Sequence, residues 1–126
     1  MNQEWEMVRA FHQMFAHPIG QSPQELPESR AAARRKWMQE ELDEFYAAQN
    51  IYEQADAMID LIYFALGTLV EMGLKPDALF EAVHQANMTK LWPDGKPHYN
   101  EDGKTIKPLG WQDPEPLLRA LIDPKI

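Results

Sequence analysis

The chain has no cysteine, few cations and no long apolar run, and each of these lacks removes a class of protein. Without cysteine there are no disulfides and no thiolate metal sites. The longest apolar stretch, Leu61–Leu66, stops at Gly67 and Thr68, far short of the roughly 20 residues a membrane-spanning helix needs. The opening residues, MNQEWEMVRAF, carry acids and no apolar centre, so they do not read as a signal peptide. These features predict a cytoplasmic protein with no membrane partner. Lys and Arg number 12 against 20 Asp and Glu, a net charge of −8. Wrapping a nucleic acid polymer needs a basic face to displace counterions, so that class is excluded as well. A small phosphorylated ligand remains open, provided bound cations or a local Lys cluster offset the acidic field.

What is present fits one soluble globular domain with a single core: 126 residues, 44% hydrophobic and 25% charged, with no internal repeat. Trp5, Val8, Phe11, His12 and Phe15 recur at helical spacing and predict a first helix over about 3–16. Pro18, Gly20, Pro23 and Pro27 break the pattern. Glu28 or Ser29 opens a second helix over roughly 30–49, and Asn50 marks a break before a third over about 52–72, closed by Gly73. Pro76 suits the first turn of a fourth helix, with Phe80, Val83, His84 and Asn87 on one face. Residues 92–111 are rich in Pro and Gly, with Asp-Gly turns at Asp94 and Asp102 and room for a small hairpin near Tyr99–Ile106. Asp113-Pro114 starts a short terminal helix ending near Ile122. The fold class is all-α: a four-helix-type bundle over about 3–90 and a turn-rich extension over about 91–126, forming one domain.

The acidic residues are not scattered. In Glu40-Glu41-Leu42-Asp43-Glu44, Glu41 and Glu44 fall about 60° apart on the helical wheel, beside the apolar Met38 and Phe45. On the third helix Asp56, Asp60 and Glu53 make one stripe about 60° wide, while apolar residues fill most of the remaining circumference. A helix apolar nearly all round is expected to be buried, and its acidic stripe with it. Buried carboxylates cannot all stay ionised without counter-charge, and no Lys or Arg occurs between Lys36 and Lys75. A hard divalent cation with oxygen ligands, Mg2+ or Mn2+, supplies what is missing. Against this stands the plain reading that an ExxE pair on a helix is a solvated face.

The tail is locally basic: four of the seven lysines, Lys90, Lys96, Lys104 and Lys107, fall within eighteen residues. They suit neutralisation of a triphosphate, with Asn87 hydrogen-bonding nearby, or simply loop solubility, which fits Lys96 best. Trp92, Tyr99 and Trp111 could stack on a base or cap the bundle. His12 and His84 fall on helix faces expected to look inward.

EELDE (Glu40–Glu44), DLIYFALGTLVEMG (Asp60–Gly73), VHQANMTK (Val83–Lys90) and DGKTIKPLGW (Asp102–Trp111), in that order, resemble the all-α NTP pyrophosphohydrolases. That group includes MazG-like enzymes, dimeric dUTPases and phosphoribosyl-ATP pyrophosphohydrolases. The resemblance covers roughly residues 30–122 and implies Mg2+-dependent cleavage of a nucleoside triphosphate to monophosphate and pyrophosphate, with Mn2+ as a substitute. It implies Glu41, Glu44 and Asp60 as metal ligands, then Asp56. It implies Glu40 as a further ligand or as the group orienting water, and Asn87, Lys90, Lys104 and Lys107 on the substrate side. It also implies a homodimer or homotetramer. The tail is similar to that of members acting on nucleotides such as dUTP, so dUTP, dGTP or dATP are the favoured substrates. One position departs from the family's ExxD: Ala57 stands three residues before Asp60. Asp56 can take its place on the same face, or Glu53 and Asp56 form the motif one turn earlier.

Two other classes compete. Glu81 and His84 form an ExxH, the unit of a di-iron carboxylate bundle, but the sequence holds no second copy. A non-catalytic nucleotide-binding module, with Ala57 emptying one metal position, predicts binding without turnover.

Overall fold

A computed structural model describes residues 1–123, and the last three residues of the expected C-terminal extension lie outside the described residues. Five helices run in order: α1 (Asn2–Met14), α2 (Glu28–Ala47), α3 (Ile51–Met72), α4 (Pro76–Met88) and α5 (Glu115–Ile122). Among the described residues strand pairing is confined to one isolated antiparallel bridge, Tyr99 with Thr105, where the small hairpin was expected. The all-α class therefore holds. The chain divides into two compact units, Met1–Pro76 and Asp77–Ile126.

In the first unit α3 packs against both α1 and α2. Only residues 48–50 separate α2 from α3, which forces an antiparallel hairpin. Asn50 caps α3, its side-chain oxygen accepting from the Glu53 amide at 2.9 Å. The register shows in the partners: Arg34 reaches Glu71, Trp37 meets Phe64 with ring centroids 5.9 Å apart, and Glu41 feels Asp60. Trp5 and Val8 of α1 close a core with Leu66 and Val70 of α3, and Ile19 and Leu69 pack on it. Each fully buried side chain of this kind contributes about 1.5–3 kcal/mol.

The segment between α1 and α2 seals the far end of α3. A helix leaves its last four carbonyls without internal partners. Here the Gly20 amide donates to the Val70 carbonyl (2.9 Å) and the Gln24 amide to that of Met72 (3.0 Å). Gly73 ends the helix in the left-handed region, φ 71°, as its position predicted. The approach is close enough that a Cβ on Gly20 would lie 2.5 Å from the Glu71 carbonyl oxygen.

Burial of α3 differs from the expectation. Its C-terminal half is covered, at Leu66, Gly67, Val70 and Glu71, but Ile51, Tyr52, Ile59 and Ile62 near its start are exposed. An all-round apolar helix needs cover, and one chain supplies it along half the length only. Asp56 and Glu53 are accordingly exposed, and Asp60 is half-buried.

In the second unit the tail is held by its own indoles. Trp111 donates to the Ala86 carbonyl at 2.8 Å, and Trp92 donates to that of Ile106 at 3.0 Å while stacking on His98, centroids 4.2 Å apart. Asp113 receives the Glu115 amide at 2.8 Å, starting α5 as expected. His84, expected inward, is exposed.

Candidate functional site

Glu41 is the buried member of the acidic group, 9% exposed, and its Oε2 has no hydrogen-bond partner among the described residues. A buried carboxylate oxygen without a partner is costly. Burial, then the adjacent Glu44, then the negative field of Asp60 and Asp56 push the Glu41 carboxyl up from 4.5 to about 7. Burial, Asp56 and Glu44 raise that of Asp60 as well. The antiparallel hairpin thus brings Glu41 and Glu44 of α2 into electrostatic contact with Asp56 and Asp60 of α3. It does so with Glu41 as the buried residue, where α3 was expected to carry the burial.

Glu40 is exposed and lies on a different surface, the shallow depression formed with Arg35, Lys36 and Asp43. Glu53 is engaged at the helix start, where its Oε2 accepts from the Gln49 amide at 2.7 Å. Ala57 is 2% exposed, so the position that departs from ExxD is a packing site on α3. The donors that remain are all carboxylate oxygens, the chemistry of a hard divalent cation. Their negative charge and the orphaned Glu41 oxygen fit such an ion. In the side-chain positions described, no three His, Cys, Asp or Glu groups close into a ligand set among the described residues. Glu81 and His84 are both exposed.

Lys90, Lys104, Lys107 and Asn87, expected on the substrate side, belong to the second unit. Lys90 and Lys107 flank the Trp111 ring, their Nζ atoms 5.4 and 4.9 Å from its centroid. Lys104 is exposed, its amide donating to the Asn100 side chain at 3.0 Å. Asn87 is exposed in the last turn of α4, its carbonyl receiving the Lys90 amide at 3.1 Å.

Two features escaped the sequence reading. The first is a recess of about 240 Å³ lined by Phe11, His12, His17, Arg34, Trp37, Tyr63 and Phe64. It is walled by α1, α2 and α3. The second is the buried ion network beside it. Glu71, 2% exposed, accepts from Arg34 (4% exposed) and from both Nε and Nη2 of Arg30, at 2.9 and 3.0 Å. Burial opposes ionisation of Glu71, but the hydrogen bonds from Arg30 and Arg34 outweigh it and hold the carboxyl below its usual value. The only sequence signal was a single Glu in an otherwise apolar turn.

The fold is thus an all-α hairpin that gathers carboxylates from two adjacent helices. The comparison with known families narrows it. The chain belongs to the phosphoribosyl-ATP pyrophosphohydrolase family, whose pattern matches residues 8–87, and its function is accordingly of the pyrophosphohydrolase type. Among solved structures, it is similar to a putative NTP pyrophosphohydrolase from Exiguobacterium sp. 255-15. The identity is 35%, over 93% of this chain and 92% of that one, with a TM-score of 0.48. No curated protein matches it. Among the described residues, no single helix is long and apolar enough to cross a membrane.

Proposed function

We propose that the chain is a Mg2+-dependent pyrophosphohydrolase that converts a (deoxy)nucleoside triphosphate and water to the monophosphate and pyrophosphate. dUTP, dGTP and dATP are the favoured substrates, in nucleotide-pool sanitation or modulation in the cytoplasm. The observation that carries this reading is the orphaned, buried Glu41 oxygen within a group of four carboxylates, in a chain of this family. Glu41, Glu44, Asp60 and Asp56 would hold the cation. When bound, it offsets the charge of the triphosphate and acidifies the attacking water. Glu41 and Glu44, as ligands of that ion, would position the attacking water beside it. Lys90, Lys104, Lys107 and Asn87 would meet the phosphates.

The aromatic recess suits the base. Trp37, Tyr63 and Phe64 offer stacking faces, and Tyr63 stands one helical turn after Asp60. The exposed Ile51, Tyr52, Ile59 and Ile62 support cover by a second copy, as a homodimer or homotetramer. A monomeric sedimentation profile for the full chain would remove that assembly reading.

The deciding experiment incubates the full chain with Mg2+ or Mn2+ and a panel of NTPs and dNTPs, resolving nucleotide products and pyrophosphate. Monophosphate plus pyrophosphate, lost in Glu41→Gln and Asp60→Asn, is the expected result and names the base. Binding without turnover in either metal favours the non-catalytic module instead, with Ala57 as the cause.

A further inference from the structure

His12 is 3% exposed on α1 and has one partner on each ring nitrogen. Nδ1 lies 2.8 Å from the Pro18 carbonyl oxygen. A carbonyl only accepts, so Nδ1 carries the proton. Nε2 lies 3.3 Å from Arg34 Nη2. A guanidinium only donates, so Nε2 must present its lone pair. Both partners therefore specify the same species, a neutral imidazole protonated at Nδ1.

Space and charge make that species hard to replace. Gly67 backs the pair so closely that a Cβ there would lie 2.8 Å from Arg34 Nη1 and 2.9 Å from His12 Nε2. The charged and titratable groups around His12 are Arg34 on α2, Glu71 on α3 and His17 on the following segment, its ring centroid 5.4 Å away. Arg30 shares the Glu71 carboxylate with Arg34. Two guanidiniums thus face one carboxylate, and a third cation in contact with Arg34 would have no counter-charge. Burial is the main cause holding the His12 imidazole below its ordinary 6.5, with Arg34 and His17 adding to it against the Pro18 hydrogen bond and Glu71.

Arg34 in turn supports the recess. Its Cζ lies 5.0 Å from the centroid of the Trp37 ring, and Arg34, His12 and Trp37 all line the same cavity. We propose that neutral His12 is a positioning residue for this recess: by accepting from Arg34 it fixes the guanidinium against Trp37, and a proton on Nε2 releases Arg34 and loosens the recess for a nucleobase. The inference rests on the recess being the base site, and it adds an acid-sensitive determinant of affinity remote from the carboxylates.

The test uses the uncharged nucleosides uridine and adenosine, which need neither metal nor the phosphate-binding residues. Long-range proton–nitrogen spectra of the histidine rings, recorded on the full chain across pH 8 to 5, read tautomer and titration of His12 separately from His17. Nucleoside affinity is measured in the same samples. The expected result is His12 in the Nδ1–H form at pH 8. Affinity should fall in step with the imidazolium fraction, by on the order of tenfold between the two pure forms, the cost of losing one hydrogen bond to a charged group. His12→Gln keeps an accepting oxygen without a titrating proton and should flatten the dependence. An Nε2–H tautomer, an affinity indifferent to His12 titration, or an unchanged pH dependence in His12→Gln overturns the proposal while leaving the base site intact. Absence of nucleoside binding at pH 8 overturns the base site and the proposal with it. The tautomer and the titration are read on the unsubstituted chain, so the test survives a variant that does not fold.

Discussion

Replacing Glu41 by Gln should stabilise the protein at pH 8 in the absence of divalent cations. The Glu41 carboxyl rises from 4.5 to about 7 on folding, first through burial and then through Glu44, Asp60 and Asp56. The folded carboxyl therefore binds its proton more tightly than the unfolded one, so stability falls as pH climbs from 4.5 to about 7 and the full cost is present above that. At about 1.4 kcal/mol per pH unit the displacement amounts to roughly 3 kcal/mol. An unpaired amide in the same place retains part of the penalty, so a gain of about 1–3 kcal/mol is expected. Urea unfolding of wild type and Glu41→Gln, with a chelator present, should show a gap that is small at pH 5, widens to pH 7 and then levels. Saturating Mg2+ should stabilise the wild type and shrink the gap, since an ion bound only to the folded chain raises its stability by mass action. A gap independent of pH, or a variant less stable than wild type at pH 8, would refute the electrostatic argument.

Two further outcomes concern the C-terminal end of α3. Glu71→Gln leaves Arg34 buried and Arg30 partly covered without counter-charge and should cost about 3–5 kcal/mol in urea unfolding at neutral pH. Because Glu71 is held below 4.5 in the fold, the stability it contributes is complete above that value and fades as pH falls through its folded value, so the variant should lack that acid limb. A loss under about 1 kcal/mol would mean the arginines find other partners. Gly20→Ala puts a Cβ against the backbone of Glu71 and Gly73, and should lower stability by about 1–3 kcal/mol as read by thermal unfolding. An unchanged midpoint would show that the segment shifts freely.

The helix order was legible because its signals are local. Asn50 and Gly73 act on the nearest turn, and the sequence spacing of Glu41, Glu44, Asp56 and Asp60 survives once a short link folds α2 back on α3. What was not legible depends on the third dimension. Hydropathy reports that α3 wants cover, but it cannot say that Leu66 and Val70 receive it from α1 while Ile59 and Ile62 do not. Glu71 and Arg34 are 37 positions apart, and the absence of Lys or Arg between Lys36 and Lys75 said nothing about a cation folding back from α2. His12 and His84 look alike on a helical wheel, yet His12 is buried beside the Pro18 carbonyl and His84 is exposed.

The three-residue link between α2 and α3 has one more consequence. All four acidic groups sit on a single helical hairpin, at sequence separations typical of fast, local assembly. Their meeting is therefore set within one hairpin, over the 20 residues from Glu41 to Asp60. Lys90, Lys104 and Lys107 reside beyond Pro76, in the other unit. Changes of length or sequence in the tail that bears Lys90, Lys104 and Lys107 therefore leave untouched the link that brings the carboxylates together.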